Sequence, residues 1–580
     1  MTPLAVPLAH SRIYETLFTQ PLMPKPSKIP PHSPWDSEVR LLLWLATCVS
    51  VIAFLFYFKS GDVLLYGDAI AHINIARRVF DSKTPGLLQL GTVWLPLPHL
   101  LMVPFLLSKE MWQRGVGGSI PSMAAYILGV VGIFRLVRGT LAGNSEPNAP
   151  ARIAAWTAAL IYGANPNLIY MQSTAMGESL YLALFLWSVV YFSESMRGRS
   201  KALTKCGLCL AAACLTRYDG WFLTTAIAGT VLIIHILPAN AATQSLRLSR
   251  PALAKFLLIA AAAPMLWFTY NGIVYRNPLE FENGPYSAKA IERKTQSAGN
   301  PGHPGTRNLA VAGLFFLKSG EINVAENPWL QRTWILLTLA GIAGVAINRR
   351  RDSTTNADFP AVHWLWLMFL LVPLPFYALS VAYGGVPIFV PTWWPFSHYN
   401  VRYGLQLLPA FAAGLALVAY LAIRSTGLDQ KLRAAILALV FAVVTVSYGS
   451  IWYAGPVSLK EAQINMRSRN ELEKQLASWL LKLPADATLL MYLGDHVGAL
   501  ERAGIPLAHT INEGNHRTWK QPDDREGLWE RALVDPSQYA DYAVASEGDA
   551  VWQAARAHSL PALVVIHTTG QQAVIVYRAR

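Results

Sequence analysis

Eleven long apolar runs divide this chain of 580 residues and leave few folds open to it. They fall near 40–59, 120–137, 152–170, 178–195, 203–216, 220–237, 254–275, 332–348, 362–382, 403–424 and 432–453. A helix of about 20 apolar residues crosses the hydrocarbon of a bilayer. In lipid, a spanning segment must satisfy its own backbone polar groups, and a helix does so within one segment. The expected fold class is a polytopic α-helical membrane protein with about 11 transmembrane helices. Charged residues make up only 14% of the chain, against about 25% in soluble domains. The formal net charge of +14 therefore belongs to cytoplasmic loops and not to a nucleic-acid partner.

Loop charges orient the spans. With a cytoplasmic N-terminus, every short inner loop is basic: Arg135, Arg138 and Arg152; Arg197, Arg199, Lys201 and Lys205; Arg247, Arg250 and Lys255; Arg349, Arg350 and Arg351; Arg424, Lys431 and Arg433. The apolar run 94–107 holds Pro96, Pro98, Pro104 and His99. It reads as re-entrant or juxtamembrane, because counting it as a span would invert every later loop. Residues 1–38 are rich in Pro and polar residues and read as a disordered cytoplasmic tail without a signal-peptide core. The transmembrane part is 39–455. Residues 456–580 are richer in charge and carry helical and strand-like runs, among them two apolar runs around Thr569-Gly570, a hairpin signal. They read as a small α/β domain on the extracytoplasmic face. Cys206 and Cys209 are spaced like a redox or zinc pair, but no second pair or nearby His accompanies them, so they read as small buried residues.

The outer side then holds two long loops, 60–119 and 276–331. In the first, Ile70, Ile73, Ala76, Val79 and Phe80 recur at helical steps. This predicts a short amphipathic helix on the membrane surface, with Asp68 near its N-terminus. A cap or first-turn acid is the plain reading of Asp68. Three further ionisable residues stand at outer helix ends: Glu178 in STAMGESLYLALF, Arg217 in LTRYDGW, and Arg402 in SHYNVRYGLQLLPA, with His398 just before it. Unpaired charge at the membrane is costly, so four such residues of mixed sign on one side point to a site. Lys289, in the basic stretch GPYSAKAIERKT of the second loop, breaks the charge rule locally and joins the candidates. His72 lies one turn after Asp68, within reach of a shared proton or divalent ion, but two ligands do not make a metal site. Asp495-His496 and the group Glu513, Asn515 and His516 lie at strand ends.

The chain shows no P-loop and no dinucleotide fingerprint. A transferase acting outside the cytoplasm needs a donor delivered in the membrane, and a polyprenyl-phosphate sugar meets that need. Its phosphate leaves without a general acid. The acceptor hydroxyl needs a base, for which Asp68 is the candidate. The developing phosphate charge needs cations, for which Arg217, Arg402 or Lys289 are candidates.

The order of these features resembles the GT-C glycosyltransferases, which use polyprenyl-phosphate sugars and include the protein O-mannosyltransferases and the aminoarabinose transferase group. The resemblance rests on YGDAIAHINIARR, STAMGESLYLALFLW, AACLTRYDGW and NVRYGLQLLPA in that order, followed by an outer C-terminal domain. It implies a GT-C-like fold over about 40–453, inverting transfer with Asp68 as base, and Arg402 and Arg217 facing the lipid phosphate. The first-loop motif differs from the family's frequent paired acids: a single acid, Asp68, precedes His72. The acceptor is then a lipid, glycan or protein. No cofactor is required, with a divalent metal left open. The absence of an N-x-Ser/Thr sequon favours a bacterial inner membrane. Two alternatives remain at this stage. A transporter or lipid flippase would show repeats and midplane charges. An assembly or sensor protein would work through its outer domain alone.

Overall fold

The computed structural model describes residues 36–143, 145–199, 201–236, 248–297, 299, 302–352, 363–425, 427–515 and 527–580. The expected N-terminal tail and His516 lie outside these residues, apart from the short stretch 36–38. All eleven apolar runs are helical. The first is α1 (Ser37–Ser60). The helices α2 (Gly67–Arg78) and α3 (Leu97–Leu106) follow in the first long loop. Next come α4 (Val116–Ala142), α5 (Ala149–Gly163), α6 (Pro166–Gln172), α7 (Glu178–Met196), α8 (Ala202–Cys214), α9 (Asp219–Ile236) and α10 (Arg250–Val274). After the second long loop come α11 (Leu309–Val324), α12 (Pro328–Asp352), α13 (Pro373–Tyr383), α14 (Leu408–Arg424) and α15 (Gln430–Ala454). Among the described residues, nine helices are long and apolar enough to cross a membrane, so the chain is an integral membrane protein.

Two of the eleven runs are shorter than a full span, each for a local reason. The run 152–170 is divided into α5 and α6. Pro166 has no N–H to continue the ladder, and the Asn165 side chain caps the new helix by accepting from the Leu168 N–H at 3.0 Å. The run 203–216 gives the 13-residue α8, which stops before the charged turn at Arg217. Helix α3 has ten residues, about 15 Å at 1.5 Å per residue. That is half a bilayer, as the prolines of its run predict.

The bundle is close-packed around α4, α5, α7 and α14. Helices α12 and α14 cross at Gly341 and Gly414, where a Cβ on Gly341 would overlap the Gly414 carbonyl. Small residues that let backbones approach are a common device where lipid gives no hydrophobic drive between helices. Trp334 on α12 donates to Ser447 Oγ on α15 at 3.0 Å, and Tyr448 donates to the Ile161 carbonyl at 2.8 Å.

Beyond α15, helix α16 (Val457–Leu480) leads into a five-stranded mixed sheet. Its strands are β1 (Leu489–Met491), β2 (Thr510–Ile511), β3 (Tyr542–Ser546), β4 (Ala562–Ile566) and β5 (Val574–Arg578), in the order β2-β1-β3-β5-β4. β1 runs parallel to β2 and β3, while β5 pairs antiparallel with β3 and β4. The expected hairpin is β4–β5. Its turn passes through Gly570 at φ 82°, a left-handed conformation that glycine adopts without strain. Helices α17 (Leu493–Ala503) and α18 (Ala550–Ala557) complete the layer. Leu490, Ile511, Ala543, Val551 and Ala555 lie in its apolar core.

Helix α2 departs from the expected surface helix. Ile70, Ile73 and Ala76 of its apolar stripe are buried and Val79 and Phe80 half-buried, but Ala69, His72, Asn74 and Ile75 are buried too, because α17 and α3 cover the opposite face. Asn74 donates to Glu501 Oε2 at 2.6 Å and accepts from Trp112 Nε1 at 3.0 Å. Asp81 accepts the Ala508 backbone N–H at 2.9 Å. The polar face that suggested water is a set of partners for the C-terminal region.

Candidate active site

The charged residues singled out at helix ends converge at one end of the bundle. Glu178 and Asp219 open α7 and α9, where the positive end of each helix dipole favours a carboxylate. Arg217 stands in the turn between α8 and α9. Arg402 lies on a 3-10 turn, Val401–Leu407, that leads into α14. Two residues on, Gly404 lies against the Ser319–Gly320 backbone, and a Cβ there would collide with it. That close approach seats the turn on α11. Asp68 is in the first turn of α2, whose N-cap position is Tyr66 with no side-chain cap bond. Asp68 therefore does not cap its helix. It reaches across to Arg402.

Arg402 is the hub. Its Nη2 donates to Asp68 Oδ2 at 2.6 Å, its Nε to Glu178 Oε1 at 3.1 Å, and its Nη1 to Glu461 Oε1 at 2.5 Å. The backbone N–H of Arg402 also donates to Glu461 Oε2 at 3.3 Å. The guanidinium lies over the rings of Tyr66 and Tyr403, at 4.8 and 5.0 Å from their centroids. Arg217 is a second hub. It donates to Glu178 Oε1 and to Asp219 Oδ2, each at 3.3 Å, and to the Tyr377 hydroxyl at 3.0 Å. Tyr377 in turn donates to Asp219 Oδ2 at 2.7 Å. Glu178 Oε1 is the shared oxygen that joins the two hubs, while its Oε2 is buried without a partner among the described residues.

Exposure separates the members. The Glu461, Glu178 and Arg402 side chains are 0%, 2% and 6% exposed, Arg217 is 17%, and Asp68 is 44%. Two guanidiniums face four carboxylates, a formal excess of two negative charges. Asp68 is the carboxylate that solvent or a ligand reaches most easily. Each arginine uses three of its five N–H groups in these bonds.

The other candidates lie elsewhere. His72 is buried and pairs through Nδ1 with His99 Nε2 at 2.8 Å, not with Asp68. Burial holds the His72 imidazole below its ordinary range, so it is neutral at pH 7. Lys289 bonds to Glu282 Oε1 at 2.5 Å, with both side chains over a third exposed. His398 is half-buried. Burial and the neighbouring Lys460 push its imidazole down, and its carbonyl accepts from Asn465 Nδ2 at 3.0 Å. Among the described residues, no group of three His, Cys, Asp or Glu is placed to hold a metal ion. Cys206 and Cys209 are free thiols.

Sequence reasoning missed Glu461, Tyr66, Tyr377 and His99. Glu461 lies in the charged stretch KEAQINMRSRNELEK, where nothing in the spacing sets it apart. Its burial comes only from α16 turning back onto the bundle directly after α15.

No protein-family description matches the sequence, and no curated protein matches it. Among solved structures, ArnT from Cupriavidus metallidurans bound to undecaprenyl phosphate overlaps at a TM-score of 0.46 and 13% identity, over 93% of this chain and 98% of that one. The oligosaccharyltransferase of Archaeoglobus fulgidus in its apo form overlaps at a TM-score of 0.45 and 12% identity, over 89% of this chain and 70% of that one. Overlaps this loose assign neither a substrate nor a residue role.

Proposed function

We propose that the chain is a membrane glycosyltransferase that moves a sugar from a polyprenyl-phosphate donor to an acceptor hydroxyl on the extracytoplasmic face. The observation that carries this reading is the cluster itself. An accessible carboxylate, Asp68, touches a buried guanidinium, Arg402, and Arg217 stands one shared oxygen away.

The step needs three things from the protein. The acceptor oxygen attacks the anomeric carbon as the bond from that carbon to the phosphate oxygen breaks. The bonding pair leaves on the lipid phosphate, and the hydroxyl proton passes to Asp68. Displacement from the face opposite the phosphate inverts the anomeric centre. A phosphate leaving group is weakly basic and needs charge stabilisation, not protonation. Arg217 is the more accessible of the two guanidiniums and suits direct contact with phosphate oxygens through its unspent N–H groups. Arg402 is held by three carboxylates and suits positioning of Asp68.

The charge balance adds an ordering. An anionic donor entering a site with excess negative charge is repelled unless a carboxylate gives way. Asp68 is the most exposed carboxylate on Arg402 and has one bond to it. A phosphate oxygen taking its place at Arg402 Nη2 frees Asp68 to accept the acceptor proton. Donor binding would then create the base.

Asp68→Asn tests the reading. Purified protein in lipid is given a polyprenyl-phosphate sugar, and both released polyprenyl phosphate and sugar product are measured. Loss of a positioned base lowers turnover by about a hundredfold to ten-thousandfold, with donor binding retained. Full turnover in Asp68→Asn removes the base assignment. Movement of donor lipid across the bilayer without cleavage, in the unmodified protein, replaces the transferase reading with that of a flippase.

A further inference from the structure

An open cavity of about 350 Å³ lies between α16, the start of α17 and the β4–β5 turn. Its lining is Arg469, Gly494, His496, Gly570, Gln571 and Gln572. None of these belongs to the cluster around Arg402. Arg469 gives its Nε to Glu473 Oε1 at 2.8 Å, which fixes the guanidinium. A Cβ on Gly67 would lie 3.0 Å from Arg469 Nη1, so this cation abuts the first residue of α2, immediately before Asp68. The same helix, α16, carries Glu461 to Arg402 and, eight residues later, Arg469 to the cavity. That separation is about 12 Å along the axis.

The chemistry of the lining is selective. Among the described residues that line it there is no carboxylate, and the one ring is the His496 imidazole, so a bare sugar ring finds no Trp, Tyr or Phe face there. Gln571 is steadied by its bond to Ser468 Oγ at 2.9 Å. His496 interrupts the helical backbone of α17, and its buried Nδ1 has no partner among the described residues. Burial and the nearby Arg469 hold this imidazole near pKa 4, so it offers hydrogen bonds without charge. Arg502 also approaches Glu473, at 3.7 Å, so two guanidiniums share that one carboxylate. Neighbouring Glu501 is raised to about 8 by burial and is mostly protonated at pH 7. Among these described groups, two guanidiniums stand against the one Glu473 carboxylate, a balance opposite in sign to the cluster around Arg402.

We propose that this cavity is an acceptor subsite that binds an oxyanion, a phosphate or carboxylate, carried by the acceptor. Holding that group on Arg469, with His496 donating beside it, directs the acceptor's hydroxyl toward Asp68. The assignment rests on the transferase reading. An acidic acceptor would bind away from the negative cluster and still present its reacting end to the base.

The test needs no turnover. Inorganic phosphate and acetate are titrated separately into full-length protein in detergent at constant ionic strength. Binding is read by phosphorus and carbon NMR line broadening. Unmodified protein and Asp68→Asn should bind at least one of the two anions saturably. Arg469→Gln should weaken that binding at least about tenfold, as loss of a charged hydrogen bond does, and Arg469→Lys should fall between. Phosphate alone identifies a phosphorylated acceptor, acetate alone an acidic sugar or peptide, and either supports the subsite. If Arg469→Gln does not fold, His496→Phe, which keeps a ring but removes the donor, takes its place, with weaker binding expected. No saturable binding, or binding unchanged in a folded variant, overturns the subsite. That result leaves transfer by Asp68 standing, whereas turnover in Asp68→Asn strikes the base and leaves anion binding intact.

Discussion

Asp68 and Glu461 both accept from Arg402, yet replacing them should cost very different amounts of stability. Glu461 is fully buried and bonds to both the side chain and the backbone N–H of Arg402. Glu461→Ala leaves part of a buried guanidinium uncompensated, and breaking a buried ion pair in this way costs about 3–5 kcal/mol. Glu461→Gln keeps a hydrogen-bond acceptor, so its cost is nearer the about 1–3 kcal/mol of an impaired bond to a charged group. Asp68 is 44% exposed, and a pair that open to solvent is worth about 1 kcal/mol or less. Asp68→Asn also retains an acceptor oxygen. The order of loss is Glu461→Ala, then Glu461→Gln, then Asp68→Asn close to the unmodified protein. Reversible unfolding by SDS in mixed micelles, followed by tryptophan fluorescence, measures it. If Asp68→Asn loses as much stability as Glu461→Ala, then Asp68 is a structural member of the cluster and the separation by burial is wrong. If the order holds, activity lost in Asp68→Asn is lost from a folded protein.

Further expectations concern charge and sidedness. Glu501 is raised from its ordinary 4.5 to about 8 by burial, with Asn74 opposing. The folded state therefore holds a proton there that the unfolded chain has released, and stability falls as pH rises from about 4.5 to 8. Glu501→Gln should flatten that fall in thermal midpoints taken from pH 5 to 9, and an unchanged slope rejects the assignment. Arg217→Lys keeps the charge but loses the planar fork, so kcat/KM for donor should drop by about tenfold or more; equal kinetics would show that Arg217 does not meet phosphate. In a cysteine-free background, Lys201→Cys and Lys431→Cys should react with an impermeant maleimide only from the cytoplasmic side, and Glu547→Cys only from the other. All three positions are exposed, and labelling of all three from one side would refute the orientation.

The parts of this molecule that were legible in the sequence are those where a local rule has no competitor. Twenty apolar residues have few places to go other than across a bilayer or into a core, so the spans were visible, even where Pro166 and Arg217 shortened them. Glu178, Arg217 and Arg402 stood out because charge beside lipid is costly unless paired. Their pairing with one another could not be read, since it depends on helices brought together from positions 39 residues apart for Glu178 and Arg217 and 224 apart for Glu178 and Arg402. Lys289 drew attention because it breaks the loop-charge rule on its expected side of the membrane, yet its partner Glu282 is local. His72 looked like a companion of Asp68 because both share a helix. The structure turns it instead toward His99, 27 residues away. Glu461 illustrates the general limit: among many charges in a helix outside the bilayer, burial is set by a turn in the chain and leaves no mark on spacing.

Helix α16 has a consequence for how the gene for such a chain can be cut. It begins three residues after the last span and delivers Glu461 to Arg402, so a protein ending at Ala454 would not be a complete charged cluster missing an accessory. It would lack one wall of that cluster, and α2 would lose the Asn74–Glu501 clasp as well. On the transferase reading, removing residues 456–580 to ease expression should therefore abolish transfer, and supplying them as a separate polypeptide should restore it only if the two pieces close that wall again.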